Sequence, residues 1–248
     1  VDAGLTAIIC EGDSFDLTAD PFNAGYSYTW DEPANLNFSN SYNPTVSPLQ
    51  TTLYMLTVSN PNNCVGIDSI EIKVIPKLSV LKTITNPLCN GGNDGRINLI
   101  SQGGSAPYSY SWNTSPIQIT NTITNLAAGN YTVTVTDNFG CFVDSTFTLI
   151  DPLGFSFTTD FLNSNCGLPD GSVSVLNFTG GFPDYNYDWG AGPTSNNTLS
   201  SLLPGTYSVT VADANNCDTN ISITISTGNN LPFMASIDAK LDVICFGE

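Results

Sequence analysis

Tyr26-Ser27-Tyr28-Thr29-Trp30, Tyr108-Ser109-Tyr110-Ser111-Trp112 and Tyr185-Asn186-Tyr187-Asp188-Trp189 carry one pattern: aromatic, polar, aromatic, polar, tryptophan. They contain every Trp of the protein. Side chains alternate faces along a β-strand, so each stretch shows three aromatics on one face and small polar groups on the other. That is a strand with a core side and a wet side. The stripe would be a sugar-stacking platform if it faced solvent, but three equivalent stripes with polar alternate faces are more simply three cores. The core aromatics expected are Trp30 with Tyr54, Trp112 with Tyr131 and Trp189 with Tyr207.

Outward from these strands the chain repeats with a period of about 77 residues. Cys89 answers Cys166, Trp112 answers Trp189, Tyr131 answers Tyr207 and Cys141 answers Cys217. Asp94-Gly95, Gly103-Gly104 and Pro107 return as Asp170-Gly171, Gly180-Gly181 and Pro183, and Leu126-x-x-Gly129-x-Tyr131 returns as Leu202-x-x-Gly205-x-Tyr207. The first 77 residues are a looser copy. Tyr54 to Cys64 keeps the spacing of Tyr131 to Cys141, but the paired Gly is missing and the stretch after Trp30 is longer, with room for an edge strand at 35–40. Cys245-Phe246-Gly247-Glu248 echoes Cys10-Glu11-Gly12-Asp13, so residues 229–248 read as the start of a further repeat and the chain as an interior piece of something longer. With boundaries near Pro76, Pro152 and Pro232, the modules are 1–77, 78–152 and 153–228. Strands of the second are expected at 78–85, 96–100, 108–112, 122–126, 131–137 and 142–150, with turn residues between them. The fold class is all-β, a tandem array of small Ig-like or PKD-like β-sandwiches.

Five basic against 22 acidic residues give a net charge of −17 over 248 residues. Such a surface repels nucleic acid and anionic membranes and leaves surface glycans, proteins and neighbouring repeats as partners. No run approaches the roughly 20 apolar residues of a membrane span, so direct membrane insertion is not expected. The chain has no His, which removes every mechanism that uses imidazole as base or ligand. Asp184 and Asp188 could suggest an acid pair, but the second module has Tyr108 and Ser111 nearby instead, so no catalytic residue and no enzyme activity is expected. Asp94, Asp137, Asp170 and Asp213 sit at turns where Ca²⁺ could be held, leaving Ca²⁺ as the one cofactor in question. The full ligand set of a calcium loop is absent, and turn Asp residues commonly accept hydrogen bonds from the backbone that follows. The two Gly pairs are expected to permit a tight bend or bulge.

Seven Cys at regular spacing fit an oxidising compartment. Spacing favours pairing inside modules, Cys10–Cys64, Cys89–Cys141 and Cys166–Cys217, with Cys245 left for a partner outside the chain. This requires the chain to make an even number of passes between partners, and six strands per module give four. An odd number would put the partners at opposite ends and favour Cys10–Cys141 and Cys89–Cys217.

Taken together, Cys-x-Gly, Asp-Gly, Gly-Gly, Pro before Tyr-x-Tyr-x-Trp, Leu-x-x-Gly-x-Tyr-x-Val-x-Val and a closing Cys over residues 78–228 resemble the SprB-type repeat of gliding-motility adhesins, surface proteins exported by type IX secretion. Residues 1–77 look more like the PKD or Ig-like modules that accompany such repeats. The resemblance implies a non-enzymatic, extracellular segment of a bacterial cell-surface adhesin filament that drives gliding, either stalk or adhesive part. A structural subunit of an extracellular filament or sheath, and a glycan-binding accessory module of a secreted enzyme, are the rival readings. Asp68-Ser69, Asp144-Ser145 and Asp218-Thr219 look similar to the O-glycosylation acceptors of gliding bacteria, which would make Ser69, Ser145 and Thr219 modification sites.

Overall fold

The computed structural model describes residues 1–31 and 40–228. Residues 35–39 of the expected edge strand, and the further repeat from 229 with Cys245, lie outside them. The chain divides into two compact units, one of Val1–Thr85, Arg96–Thr124 and Gly129–Leu149, the other of Asn86–Gly95, Asn125–Ala128 and the residues from Ile150 onward.

In the first unit the strands are β1 (Ala7–Cys10), β2 (Phe15–Asp16), β3 (Ser27–Asp31), β4 (Thr45–Val46), β5 (Thr52–Ser59) and β6 (Val65–Ile75), then β7 (Ser79–Thr85), β8 (Gly95–Gln102), β9 (Ser109–Trp112), β10 (Thr122–Leu126), β11 (Gly129–Thr136) and β12 (Phe142–Leu149), with the ends of β8 and β10 assigned to the second unit. The sheets run β1-β6-β5-β3 with β2-β4, and β10-β8-β7 with β12-β11-β9. The six strands expected in the second module are β7 to β12. Between the first pair of sheets the alternating residues Tyr28, Trp30, Tyr54, Leu56, Val58, Ile70 and Ile72 form one core. Ile97, Leu99, Trp112, Val133, Val135 and Phe147 are buried by the same period of two in the second module.

The second unit repeats the plan with β13 (Ser156–Leu162), β14 (Ser164–Asn165), β15 (Gly171–Thr179), β16 (Asn186–Asp188), β17 (Pro193–Thr194), β18 (Thr198–Leu202), β19 (Gly205–Ala212), β20 (Asp218–Ile225) and β21 (Thr227–Gly228). Its sheets are β13-β15-β18, β17-β16-β19-β20 and β14-β21, around Val173, Val175, Tyr187, Val209, Val211 and Ile223.

The Trp residues do the same job three times. Each indole N–H donates to a carbonyl of the segment that leaves the aromatic strand: Trp30 to Ser41 (3.1 Å), Trp112 to Thr120 (2.9 Å) and Trp189 to Asn196 (3.2 Å). A buried Trp needs a partner for that N–H, so the bond fixes where the chain crosses between sheets. Trp30, Tyr54 and Trp112 are fully buried, but Trp189, Tyr131 and Tyr207 are only half-buried. Tyr207 lies near the start of β19, where its hydroxyl donates to the Leu203 carbonyl (2.9 Å) and stays at the rim.

The wet faces explain how so few charges suffice. On β11-β12 and β19-β20 the outward residues pair across strands: Thr134 with Asp144, Thr148 with Asn130, Ser208 with Ser222, Thr206 with Thr224 and Asn220 with Thr210. Each such pair contributes roughly 0.2–1 kcal/mol.

The disulfides correct the sequence expectation. Cys10 is bonded to Cys141 and Cys89 to Cys217, with Cα atoms 5.7 and 5.4 Å apart, so each bond joins residues that the 77-residue period assigns to successive repeats. Cys10–Cys64, Cys89–Cys141 and Cys166–Cys217 are not formed; Cys64 and Cys166 are exposed. The reason is geometric. Cys10 aligns with Ile75 at one end of β6, while Cys64 immediately precedes Val65 at the other, and an 11-residue strand separates them. At ~3.3 Å per residue they are about 33 Å apart, far beyond the ~7 Å that a disulfide spans. The pass count was wrong. β16 runs antiparallel to β19, and β18 turns into β19 through Leu203 and Pro204, so β16 and β18 run in the same direction. Between them the chain turns back through β17, which pairs antiparallel with β16. Five strands, β15 to β19, therefore lie between Cys166 and Cys217, an odd number of passes, and the two Cys of a module finish at opposite ends.

Candidate functional site: the stapled junctions

The residues that the repeat keeps are gathered at two places, one within each unit, where a linker is held by loops on both sides of it. In the first, β6 ends at Ile75 and the linker Pro76-Lys77-Leu78 follows. Ahead of it in sequence, the Cys-x-Gly loop contributes Glu11, whose backbone N–H donates to Ile75 (2.9 Å) and whose Oε2 accepts the Lys77 N–H (2.8 Å). Beyond it, the Gly104 N–H donates to the Pro76 carbonyl (2.9 Å) and Leu78 is buried. The Lys73 ammonium lies 5.5 Å from the centre of the Phe139 ring. In the second, Asn90 donates its amide to the Pro152 carbonyl (2.9 Å) and to Asp151 (3.2 Å), and the Gly91 N–H donates to Asp151 Oδ1 (2.9 Å).

The Gly pairs are where the linker docks. A Cβ on Gly103 would lie 2.1 Å from the Lys77 carbonyl oxygen, and one on Gly180 would lie 2.5 Å from the Gly154 carbonyl oxygen. All four glycines have φ between 59° and 75°, the left-handed region that only Gly enters freely. The expected bend is present, and its cause is the approach of another backbone. We expect Gly103→Ala and Gly180→Ala each to destabilise the protein by roughly 1–3 kcal/mol, since both strain and overlap oppose the added methyl. Thermal melts check this, and an unchanged midpoint would contradict the docking.

Asp137 and Asp213, two of the calcium candidates, organise the hairpins that carry Cys141 and Cys217. Both carboxylates are buried. Asp137 Oδ1 accepts the N–H groups of Phe139 (2.8 Å) and Cys141 (2.9 Å), and Oδ2 accepts that of Ser105 (2.9 Å), just beyond the Gly pair. Asp213 repeats this with Asn215 (2.9 Å), Cys217 (2.9 Å) and Phe182 (3.0 Å). One carboxylate thus ties the cysteine hairpin to the linker-docking loop.

Asp94 and Asp170 are placed differently, Asp94 at the foot of the Cys89-Asn90-Gly91 loop and Asp170 at the foot of the loop that begins Cys166-Gly167. Asp94 accepts the Leu88 N–H (3.1 Å). Asp170 accepts the backbone N–H (2.7 Å) and side-chain amide (2.8 Å) of Asn165, and the backbone bond first and the amide second hold its carboxyl below the ordinary 3.8. A lowered folded-state pKa means that this contribution is present above the ordinary value and is lost as pH falls through the lowered one. In a carboxyl NMR titration Asp170 should therefore protonate below its free value, with the Asn165 amide losing exchange protection over the same range. A midpoint at or above 3.8 would contradict the bonding. Among the described residues no three Cys, Asp or Glu converge as a metal site.

The acid pair does not form a site either: Asp188 Oδ1 accepts the N–H groups of Gly190 (2.8 Å) and Gly192 (3.0 Å), and Asp184 is an exposed turn residue with φ 80°. The modification candidates are not equivalent. Ser69 is exposed on the outer face of β6, Ser145 is half-buried against a groove with Leu81 and Phe147, and Thr219 is exposed at the start of β20 beside Cys217. A cavity of about 580 Å³, lined among others by Leu88, Asn90, Leu153, Phe155, Phe182 and Asp213, opens at the second junction. Sequence reading missed the part played by Glu11, Asn90 and Asp151. The signal available was the polar residue inside each Cys-x-Gly.

Residues 81–116 match the SprB repeat. That stretch starts in β7 and covers the Cys-x-Gly loop of the second junction, β8, the Gly pair of the first junction and the aromatic strand β9. No curated protein matches the sequence. Among solved structures, the N-terminal eight Ig domains of Down Syndrome Cell Adhesion Molecule (DSCAM) superpose with a TM-score of 0.53 at 14% identity, over 90% of this chain and 36% of that one. The I67–I69 fragment of the titin I-band covers 90% of this chain and 96% of its own at 12% identity, with a TM-score of 0.41. The chain thus spans about a third of the DSCAM structure, and the likeness is one of fold: an all-β, Ig-like tandem array. No helix among the described residues is long and apolar enough to cross a membrane.

Proposed function

We propose that this chain is a non-enzymatic stalk segment of a bacterial cell-surface adhesin, built from modules 1–77, 78–152 and 153–228, and exported to an oxidising exterior. The observation that carries the reading is the pair of disulfides joining each module to its successor across a clamped linker. An array that must transmit pull needs joints that resist separation, and a covalent bond at each joint supplies that beyond what a small interface can. The SprB repeat match supports the assignment to a gliding-motility adhesin, as does the resemblance of the repeat anchors. A surface of hydroxyls and amides, with a net charge of −17, suits contact with neutral glycans or proteins. Ser69 and Thr219, both exposed, are the better placed of the three proposed glycosylation acceptors.

Antibodies raised against this segment should label filaments on intact cells. Label seen only after the cells are opened would overturn the reading, as would turnover of a sugar or peptide substrate abolished by changing one Asp. Retention of a particular sugar on a glycan array would shift the assignment from stalk to binding module.

A further inference from the structure

We infer that Cys64 is a third staple site, taking a disulfide from the Cys-x-Gly cysteine of another repeat module. The inference rests on the stalk reading and extends it to a bond not present in this structure.

Three hairpins present a second cysteine, and they are built alike. Asn60 Oδ1 accepts the N–H groups of Asn62 (2.9 Å) and Cys64 (3.0 Å), as Asp137 and Asp213 do at Cys141 and Cys217. In each, the Asx residue's own N–H donates to the cysteine carbonyl, at 3.1, 2.9 and 2.9 Å. Two of these cysteines are bonded, and each partner is the cysteine of a Cys-x-Gly stretch: Cys10 with Glu11-Gly12, and Cys89 with Asn90-Gly91. The partner always comes from the module one place earlier. Cys64 occupies the same place on its hairpin and is an exposed thiol.

The bond forms by thiol–disulfide exchange. The Cys64 thiolate attacks the cysteine sulfur of a mixed disulfide between the partner module's cysteine and glutathione. The new S–S bond forms, the mixed one breaks, and glutathione leaves as a thiolate that takes up the proton Cys64 lost. Glutathione disulfide, which forms the mixed disulfide, is the oxidant.

The test places a copy of residues 78–152 ahead of Val1, with Cys141→Ser in the added copy so that its Cys89 has one candidate partner. Both this fusion and the unextended chain are held in a glutathione redox buffer, digested without reduction and mapped. The expected result is a link between the added Cys89 and Cys64, with Cys64 alkylated about tenfold less than in the unextended chain, as millimolar effective concentrations favour the intramolecular partner. A covalent dimer of the unextended chain through Cys64 would also support the inference and would identify a second molecule as the source. Recovery of Cys64 as a thiol or glutathione adduct in a fusion that keeps Cys10–Cys141 and Cys89–Cys217 would overturn it while leaving the stalk reading intact. Where the fusion fails to keep those links, the unextended chain decides: Cys64 that forms no mixed disulfide with glutathione is not presented for exchange, and the inference falls.

Discussion

Asp137→Asn and Asp213→Asn are expected to lower the melting temperature by several degrees each, whereas Asn60→Asp should change it little. Both Asp side chains accept N–H groups on both oxygens, and an amide keeps only one acceptor. Whichever way it turns, its NH₂ faces a backbone N–H that had a partner. Leaving such a donor unpaired costs roughly 1–3 kcal/mol, and for a chain of this size each kcal/mol shifts the midpoint by about 2–4 °C. Alanine at either position removes every bond and should cost more. Asn60 serves its hairpin with one oxygen alone, so the carboxylate adds nothing it needs. Thermal melts of the whole chain check this series. Equal effects at all three positions would mean that the tie from hairpin to docking loop carries no stability.

The larger effect is mechanical. The loops closed by Cys10–Cys141 and Cys89–Cys217 overlap between residues 89 and 141. Pulled from its ends, the oxidised chain cannot open all 207 residues that separate Cys10 from Cys217. Its shortest covalent route crosses the first bond, runs back along the 52 residues from Cys141 to Cys89, and crosses the second. At ~3.5 Å per residue that limits the extension between Cys10 and Cys217 to about 180 Å, against about 700 Å after reduction. Single-molecule pulling with and without reductant should show this roughly fourfold difference. Equal contour lengths in the two conditions would exclude overlapping staples. In the chain-entropy account, closing loops with sequence separations of 131 and 128 also stabilises the folded state by about 5 kcal/mol per bond.

Much of this was legible in the residues. Aromatic alternation gave the strands of the cores because burial obeys a period of two, and the anchors that recur every 77 residues fall at turns and core positions. The disulfide pairing was not legible, because the parity argument left out the return that β17 makes between β16 and β18, and a two-residue strand carries no alternation for local sequence to show. The Gly pairs showed that backbone freedom was needed but not what approached them. A comparison inside the chain did hold a clue to the junction. The module without a Gly pair has Asn60 where the other two have Asp137 and Asp213, and the second carboxylate oxygen is the one that reaches the loop beside the pair.

The account turns on which cysteines are joined. Digestion of the native protein without reduction, at aromatic and acidic residues because only five basic ones are present, followed by mass spectrometry, answers this directly. The account predicts peptides linking Cys10 to Cys141 and Cys89 to Cys217. Peptides linking Cys10 to Cys64 and Cys89 to Cys141 would contradict it, and with it the stapled junctions.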